Sequence, residues 1–207
     1  VMKVDVSWDY YDVENPVLWT GDIVLHEKLN LLSGSKITLD QNQTPNRHTR
    51  NAITGLFADP TYFTCLNNSE FTMQSGSEVE VKNLGSFLMN DGGSLEIKDS
   101  AKFIVNESST LLVVDGANVT IGGKGYIKIQ EAAYLCVEPG ANIELTDPTS
   151  KVFVHYLALN GINSSVLPLS YDCVSPLSSI PVTGLGRVIV DEHPQDAYIQ
   201  DEIFNTT

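Results

Sequence analysis

The chain has 207 residues, 12 basic against 26 acidic, a formal net charge of −14 and 42% hydrophobic content. That apolar content suffices for one buried core, and no apolar run approaches the roughly 20 residues of a membrane span. With no basic stripe to displace counterions, the composition argues against nucleic acid and anionic membrane surfaces as partners.

The start, VMKVDVSWDY, has no apolar signal-peptide region, and Val1 is not a normal initiator. The chain therefore reads as a mature or excised piece of a longer, exported product. Met2, Val4 and Val6 alternate, which predicts a strand within an N-terminal segment, 1–18, lying outside the repeat that follows.

From about Trp19 apolar residues pair two apart: Ile23/Leu25, Leu29/Leu31 and Ile37/Leu39. Gln41 to Pro60 breaks this pattern and is polar and turn-rich, so it reads as a loop inserted at a corner. From Asn68 to about Pro148 the chain repeats every eight residues, in units such as GSEVEVKN, GGSLEIKD and GANIELTD. Each unit opens on a small residue and then sets two large apolar residues two apart, from Phe71/Met73 to Ile143/Leu145. A spacing of two puts both on one face of a strand, whereas a helix needs three and four.

The period predicts an all-β fold: a right-handed, three-sided parallel β-helix over 19–156, with extra terminal strands. Three octads per coil would stack residues 24 apart at about 4.8 Å. Sorting the outward middle residues by three gives Glu80/Ile104/Lys128, Leu88/Leu112/Cys136 and Glu96/Thr120/Glu144. The second set is apolar throughout and is flanked by Ser86, Thr110 and Tyr134. Leu88, Leu112 and Tyr134 thus mark a face that is either covered by the chain's own C-terminal segment or used by a partner.

After Pro148 the period slips by one at KVFVHY and stops. Residues 157–207 read as an irregular covering segment rich in Ser, Pro and Gly, followed by a strand at GRVIV and an acidic tail.

Three cysteines, Cys65, Cys136 and Cys173, are too widely spaced for a zinc motif. Cys65 takes an inward slot and Cys136 an outward one three coils away, beyond disulfide reach. Cys136 therefore pairs with Cys173, a bond worth roughly 3 kcal/mol, and Cys65 stays free and buried.

No outward face collects Asp, His and Arg as polysaccharide-cleaving β-helices require. The only basic cluster is Arg47, His48 and Arg50 in the inserted loop. No catalytic residue, cofactor or metal ligand is assigned. Asp91/Asp115 and Glu107/Glu131 each recur at one corner a coil apart. They read as solvated corners, with bound calcium the alternative, for which two carboxylates per corner need backbone help to reach six or more oxygens. N-x-S/T occurs at Asn42, Asn67, Asn106, Asn118, Asn163 and Asn205.

The strings TPNRHT, FTCLNNS and AYLCVEPGANIEL, with YDCVSP after them, resemble modules of large secreted proteins of Bacteroidota, commonly exported by the type IX route. The resemblance spans roughly Trp19 to Pro176. It implies an extracellular or cell-surface setting and no defined catalytic activity; this chain has no recognisable C-terminal sorting domain. It also implies an O-glycan site at Ser100, in Asp99-Ser100-Ala101.

The favoured function is a non-catalytic structural one: a rigid solenoid that assembles head-to-tail into a filament or surface array. Strand exchange through VMKVDV, GRVIV or YIQDEIF would supply the contact. The alternative is a carbohydrate-binding or adhesive module with Tyr126 and Tyr134 as stacking platforms for surface glycans, and after that a polysaccharide-active enzyme.

Overall fold

The computed structural model describes residues 6–19, 21–40, 62–163, 171–175 and 179–190. Among these the chain forms nineteen strands. They are β1 (Val6–Val13), β2 (Val17–Trp19), β3 (Ile23–Leu31), β4 (Lys36–Asp40), β5 (Tyr62–Cys65), β6 (Glu70–Met73) and β7 (Glu78–Lys82). Next come β8 (Ser86–Met89), β9 (Ser94–Ile97), β10 (Lys102–Val105), β11 (Thr110–Val113), β12 (Asn118–Ile121) and β13 (Tyr126–Ile129). The last are β14 (Tyr134–Val137), β15 (Asn142–Leu145), β16 (Lys151–Val154), β17 (Leu159–Asn160), β18 (Val182–Gly184) and β19 (Arg187–Val190). Every pairing is parallel, and the strands stack into curled sheets around one core, a β-solenoid arrangement.

From β5 to β16 each strand pairs with the strand three places on, never with its neighbour in sequence. Phe103 aligns with Ile127, 24 residues later, so laterally paired strands lie three octads apart in the chain. From β13 to β16 the step becomes 25, as Ile127 aligns with Val152. That extra residue is the slip read at KVFVHY.

The octad has a direct conformational meaning. Its first residue takes a positive φ at Asn68 (65°), Gly76 (71°), Gly92 (72°), Ser100 (60°), Ser108 (62°), Gly116 (80°) and Ala132 (51°). Such a backbone is cheap only for glycine and tolerable for Asn or small residues. The second residue is small and buried, as at Ser69, Ser77, Ala101, Ser109, Ala117 and Ala133. Its N–H closes the corner onto the carbonyl three residues back: Ser77 to Gln74 at 3.0 Å, Ala101 to Lys98 at 3.0 Å, Ala117 to Val114 at 3.0 Å. A larger side chain at this spot would meet backbone. At Gly125 an added Cβ would lie 2.7 Å from the Lys98 carbonyl oxygen and 2.9 Å from that of Gly122.

The paired apolar residues all point inward, and from Phe71 to Leu145 none is more than 2% exposed. Leu95 and Ile97 are 1% and 0% exposed. Burying each such side chain contributes roughly 1.5–3 kcal/mol, set against the entropy of ordering the chain. Four phenylalanines stack through the early coils: Phe63 lies parallel to Phe87 at 4.8 Å, Phe71 packs on Phe87 at 5.8 Å, and Phe103 meets Phe87 edge-on at 4.9 Å.

The terminal strands correct the sequence reading. They were expected outside the repeat, yet they are further rungs of the same stacks. β1 pairs along β3, with Val6 on Ile23 and Val13 on Leu31, and β2 pairs with β4. Among the described residues the coil is already under way at Val6, ahead of Trp19. At the other end β17 pairs with β14, β18 with β15 and β19 with β16. Val182–Gly184, read as irregular chain, is a strand. The physical reason is that a stack of parallel strands offers an open hydrogen-bonding edge at each end, which any adjacent extended segment satisfies. Met2 and Val4, the inserted loop with Arg47, His48 and Arg50, and the YIQDEIF segment lie outside the described residues.

Candidate functional site

The most developed feature outside the core is the outer face of β8, β11 and β14. The octad register stacks Leu88 on Leu112 and Leu112 on Cys136. These side chains are 8%, 0% and 0% exposed and form an apolar cluster separate from the main core. Ile162, Tyr171 and Cys173 pack over them. The chain's own C-terminal segment therefore occupies the face that the sequence left open to cover or partner. Tyr134 lies half-buried at its rim, beside Thr110.

A disulfide joins Cys136 to Cys173, with Cα atoms 5.0 Å apart. Cys65 is free and buried, and burial pushes its thiol well above the usual range. A thiol so shielded is neither a nucleophile nor a ready ligand. The cover is further held where Asn163 Nδ2 donates to the Ser108 carbonyl at 3.0 Å and Val174 N–H donates to the Val137 carbonyl at 2.8 Å. Asp172 N–H donates to Glu138 Oε1 at 3.3 Å.

The outer face of β4 and β7 is polar. Lys36 Nζ lies 2.6 Å from Glu78 and 2.8 Å from Glu80, and Asn106 Nδ2 donates to Glu80 at 2.9 Å. Burial alone would raise the Glu80 carboxyl, but the Lys36, Lys82 and Asn106 partners outweigh it and hold the group below the usual range. Lys36 is likewise lowered by burial but raised overall by its two glutamates. Asp40, 1% exposed, is a charged residue the sequence reading missed; Lys82 Nζ stands 3.5 Å from it and Asn83 Nδ2 donates to it at 2.8 Å. Its only sequence signal is its position one residue past the inward Leu39. An open cleft of about 500 Å³ lies alongside, lined by Lys82, Asn83, Leu84, Asn106, Glu107 and Ser108. Glu107 is its carboxylate and Lys82 its cation, and Lys82 is engaged with Asp40.

Because Glu80 is held low, its stabilising effect is present above the unfolded carboxyl pKa of about 4.3 and is lost as pH falls through the folded value. A urea titration repeated from neutral pH to pH 3 should show Glu80→Gln lacking that part of the acid slope. The difference should be at most about 1 kcal/mol, since the pair is partly solvated.

The remaining sequence candidates stand apart from one another. Asp91, Asp115, Glu107 and Glu131 are exposed at corners. The Asp91 carboxylate lies against Gly116 and that of Asp115 against Gly140, each one coil on. Among the described residues no three His, Cys, Asp or Glu side chains gather as a metal set would. Tyr126 and Tyr134 are both half-buried and belong to different stacks, β13 and β14, so they form no common platform. Ser100 is partly exposed at a corner. Asn67 and Asn118 are exposed, Asn106 is engaged with Glu80, and Asn163 is 7% exposed beneath the cover. Asn42 and Asn205 lie outside the described residues.

Phe153 was not foreseen as buried. It takes an outward position between Lys128 and Ile189, yet is 2% exposed, with Lys128 Nζ 5.4 Å above its ring. That distance suits a cation–π contact.

No helix among the described residues is long and apolar enough to cross a membrane. No protein family, no curated protein and no solved structure matches this chain.

Proposed function

We propose that this protein is a non-catalytic structural rod of the cell exterior: a right-handed, three-sided β-helix that serves as a subunit of a filament or surface array. The observation that carries this reading is the last described coil. Leu157, Leu159 and Leu185 are 43%, 41% and 67% exposed, and all three lie on or beside β17–β19. Val182, Val188 and Val190 occupy inward positions but are only partly buried, whereas Ile143, Val152 and Val154 on the coil before are at most 2% exposed. Among the described residues β17, β18 and β19 each pair on one side only.

The opposite end is different. Val13 and Trp19, on the first described coil, are 1% and 2% exposed. A contact between two unlike ends is heterologous, and such contacts extend into fibres when the rotation does not close. The extracellular setting rests on the sequence resemblance and on the disulfide, which persists in oxidising surroundings.

Leu185→Glu combined with Leu159→Asp tests the contact. The unaltered chain should grow into elongated particles with concentration, seen by light scattering and electron microscopy, and the variant should stay monomeric with an unchanged far-UV circular dichroism spectrum. An unaltered chain that remains monomeric at high concentration overturns the filament reading.

A further inference from the structure

Among the described residues β2 pairs only with β4 and β19 only with β16, at the two edges of one sheet. On the other sheet β1 pairs only with β3 and β18 only with β15. In a parallel ladder both edges of a strand carry the same evenly spaced N–H and carbonyl groups. The first strand of one copy therefore fits the last strand of another by the pairing already used inside the coil.

The side chains at these two ends match. One inward column opens with Val17 on β2 and closes with Val188 on β19, both only partly buried, while their neighbours Ile37 and Val152 are buried. A second opens with Tyr11, exposed and opposite the inward Leu29, and closes with the partly buried Val182. On the outer face, Leu18 and Ile189 are half-buried apolar residues at the ends of a row that includes Thr38, Glu80 and Lys128. β17 adds little to this seam, because it is two residues long and sets Asn160 opposite the inward Leu135.

We infer, resting on the filament reading, that the junction is a strand-for-strand continuation of the coil: a second copy's β2 pairs with β19 and its β1 with β18, all parallel. The ladder fixes the register. Val17 aligns with Ile37, and the column through Ile37 ends at Val188. Val17, Leu18 and Trp19 of the second copy thus stand opposite Val188, Ile189 and Val190, and its Tyr11 and Val13 stand opposite Val182 and Gly184. Inward side chains left half-open at both ends become core, and open backbone edges on both copies are paired. The contact joins unlike ends and repeats the step between coils, so it extends without closing.

The test is a cross-link that one chain cannot make alone. Leu18 and Ile189 lie on opposite edge strands of a seven-stranded sheet, which at ladder spacing puts them about 29 Å apart and beyond disulfide reach. Leu18→Cys with Ile189→Cys, oxidised where the unaltered chain is elongated, should give trimers and larger species on a non-reducing gel. Peptide mapping should find position 18 bonded to position 189. Asp12→Cys with Thr183→Cys, at two exposed sites, is a second pair in the same register and should behave alike. No single variant should pass a dimer. Elongated particles in which neither pair bonds overturn the junction and leave the filament reading standing. A product that stops at a dimer bonded between like positions means that like ends meet, and it also overturns the junction. An unaltered chain that stays monomeric, as it would if its own residues closed the end, overturns both.

Discussion

Phe87→Ala is expected to cost about 3–5 kcal/mol of folding stability, the largest effect of any single truncation here. Phe87 is 0% exposed and touches aromatic rings on three sides: Phe63 from the coil before, Phe71 across the coil, and Phe103 across its own coil. Removing the ring takes away its transfer free energy and leaves a void that strands held by ladders on both edges cannot close. β8 is such a strand, paired to β5 on one side and β11 on the other. Aromatic pairs add roughly 0.5–1.5 kcal/mol each beyond area, so the loss should lie at the upper end of the range. Phe87→Leu keeps most of the volume and should cost clearly less. Equilibrium urea unfolding checks both: the midpoint should fall with little change in slope. A Phe87→Ala loss below about 1 kcal/mol would mean that the stack is not packed as described.

The second large effect is expected from the disulfide. The Cys136→Ala, Cys173→Ala double variant should lose roughly 2–4 kcal/mol. The bond closes a loop with a sequence separation of 37, for which loop-closure entropy in the unfolded chain gives about 4 kcal/mol. The measured loss falls below that figure by whatever freedom the native state gains around Cys173 without the cross-link. Urea unfolding of oxidised, reduced and double-variant protein separates these terms. The reduced wild type and the double variant should agree closely. A double variant as stable as the oxidised protein would show that the bond constrains nothing in the unfolded chain.

Neither effect touches assembly directly, which makes them useful controls for it. A core truncation lowers the stability of every coil, whereas Leu185→Glu alters a side chain that is 67% exposed and packs on little. Loss of elongated particles in the second case, with unfolding unchanged, points to the end surface and not to the fold.

The amino-acid sequence by itself determined the architecture where the octad is regular. A small residue able to take positive φ, a second small residue turned inward and two apolar residues two apart form a self-contained instruction, because corner and strand are both local. Repeated without slippage from Asn68 to Pro148, it also sets the register, since identical units bring laterally paired strands a whole number of octads apart. That is why Leu88, Leu112 and Cys136 were legible as one outer row, and why the pairing of Cys136 with Cys173 followed from which slot each cysteine occupies.

The tertiary structure decided what happens where the period fails. Val6 pairs with Ile23, 17 residues on, and Val17 with Ile37, 20 on, so the first coil is shorter than a coil of three octads. Ile143 pairs with Val182, 39 residues on, and Lys151 with Arg187, 36 on, far beyond one coil of the regular repeat. No local pattern encodes those pairings; they form because the edge of the finished coil presents unpaired backbone groups at a fixed spacing, and the next extended segment meets them. The same holds for Asp40 and Phe153. Each reads in sequence as an ordinary end-of-strand carboxylate or outward ring, and each is buried by residues far away in the chain: Lys82 and Asn83 in one case, Lys128 in the other. Burial on an outer face depends on what lies across it, and that is settled only when the coils are stacked.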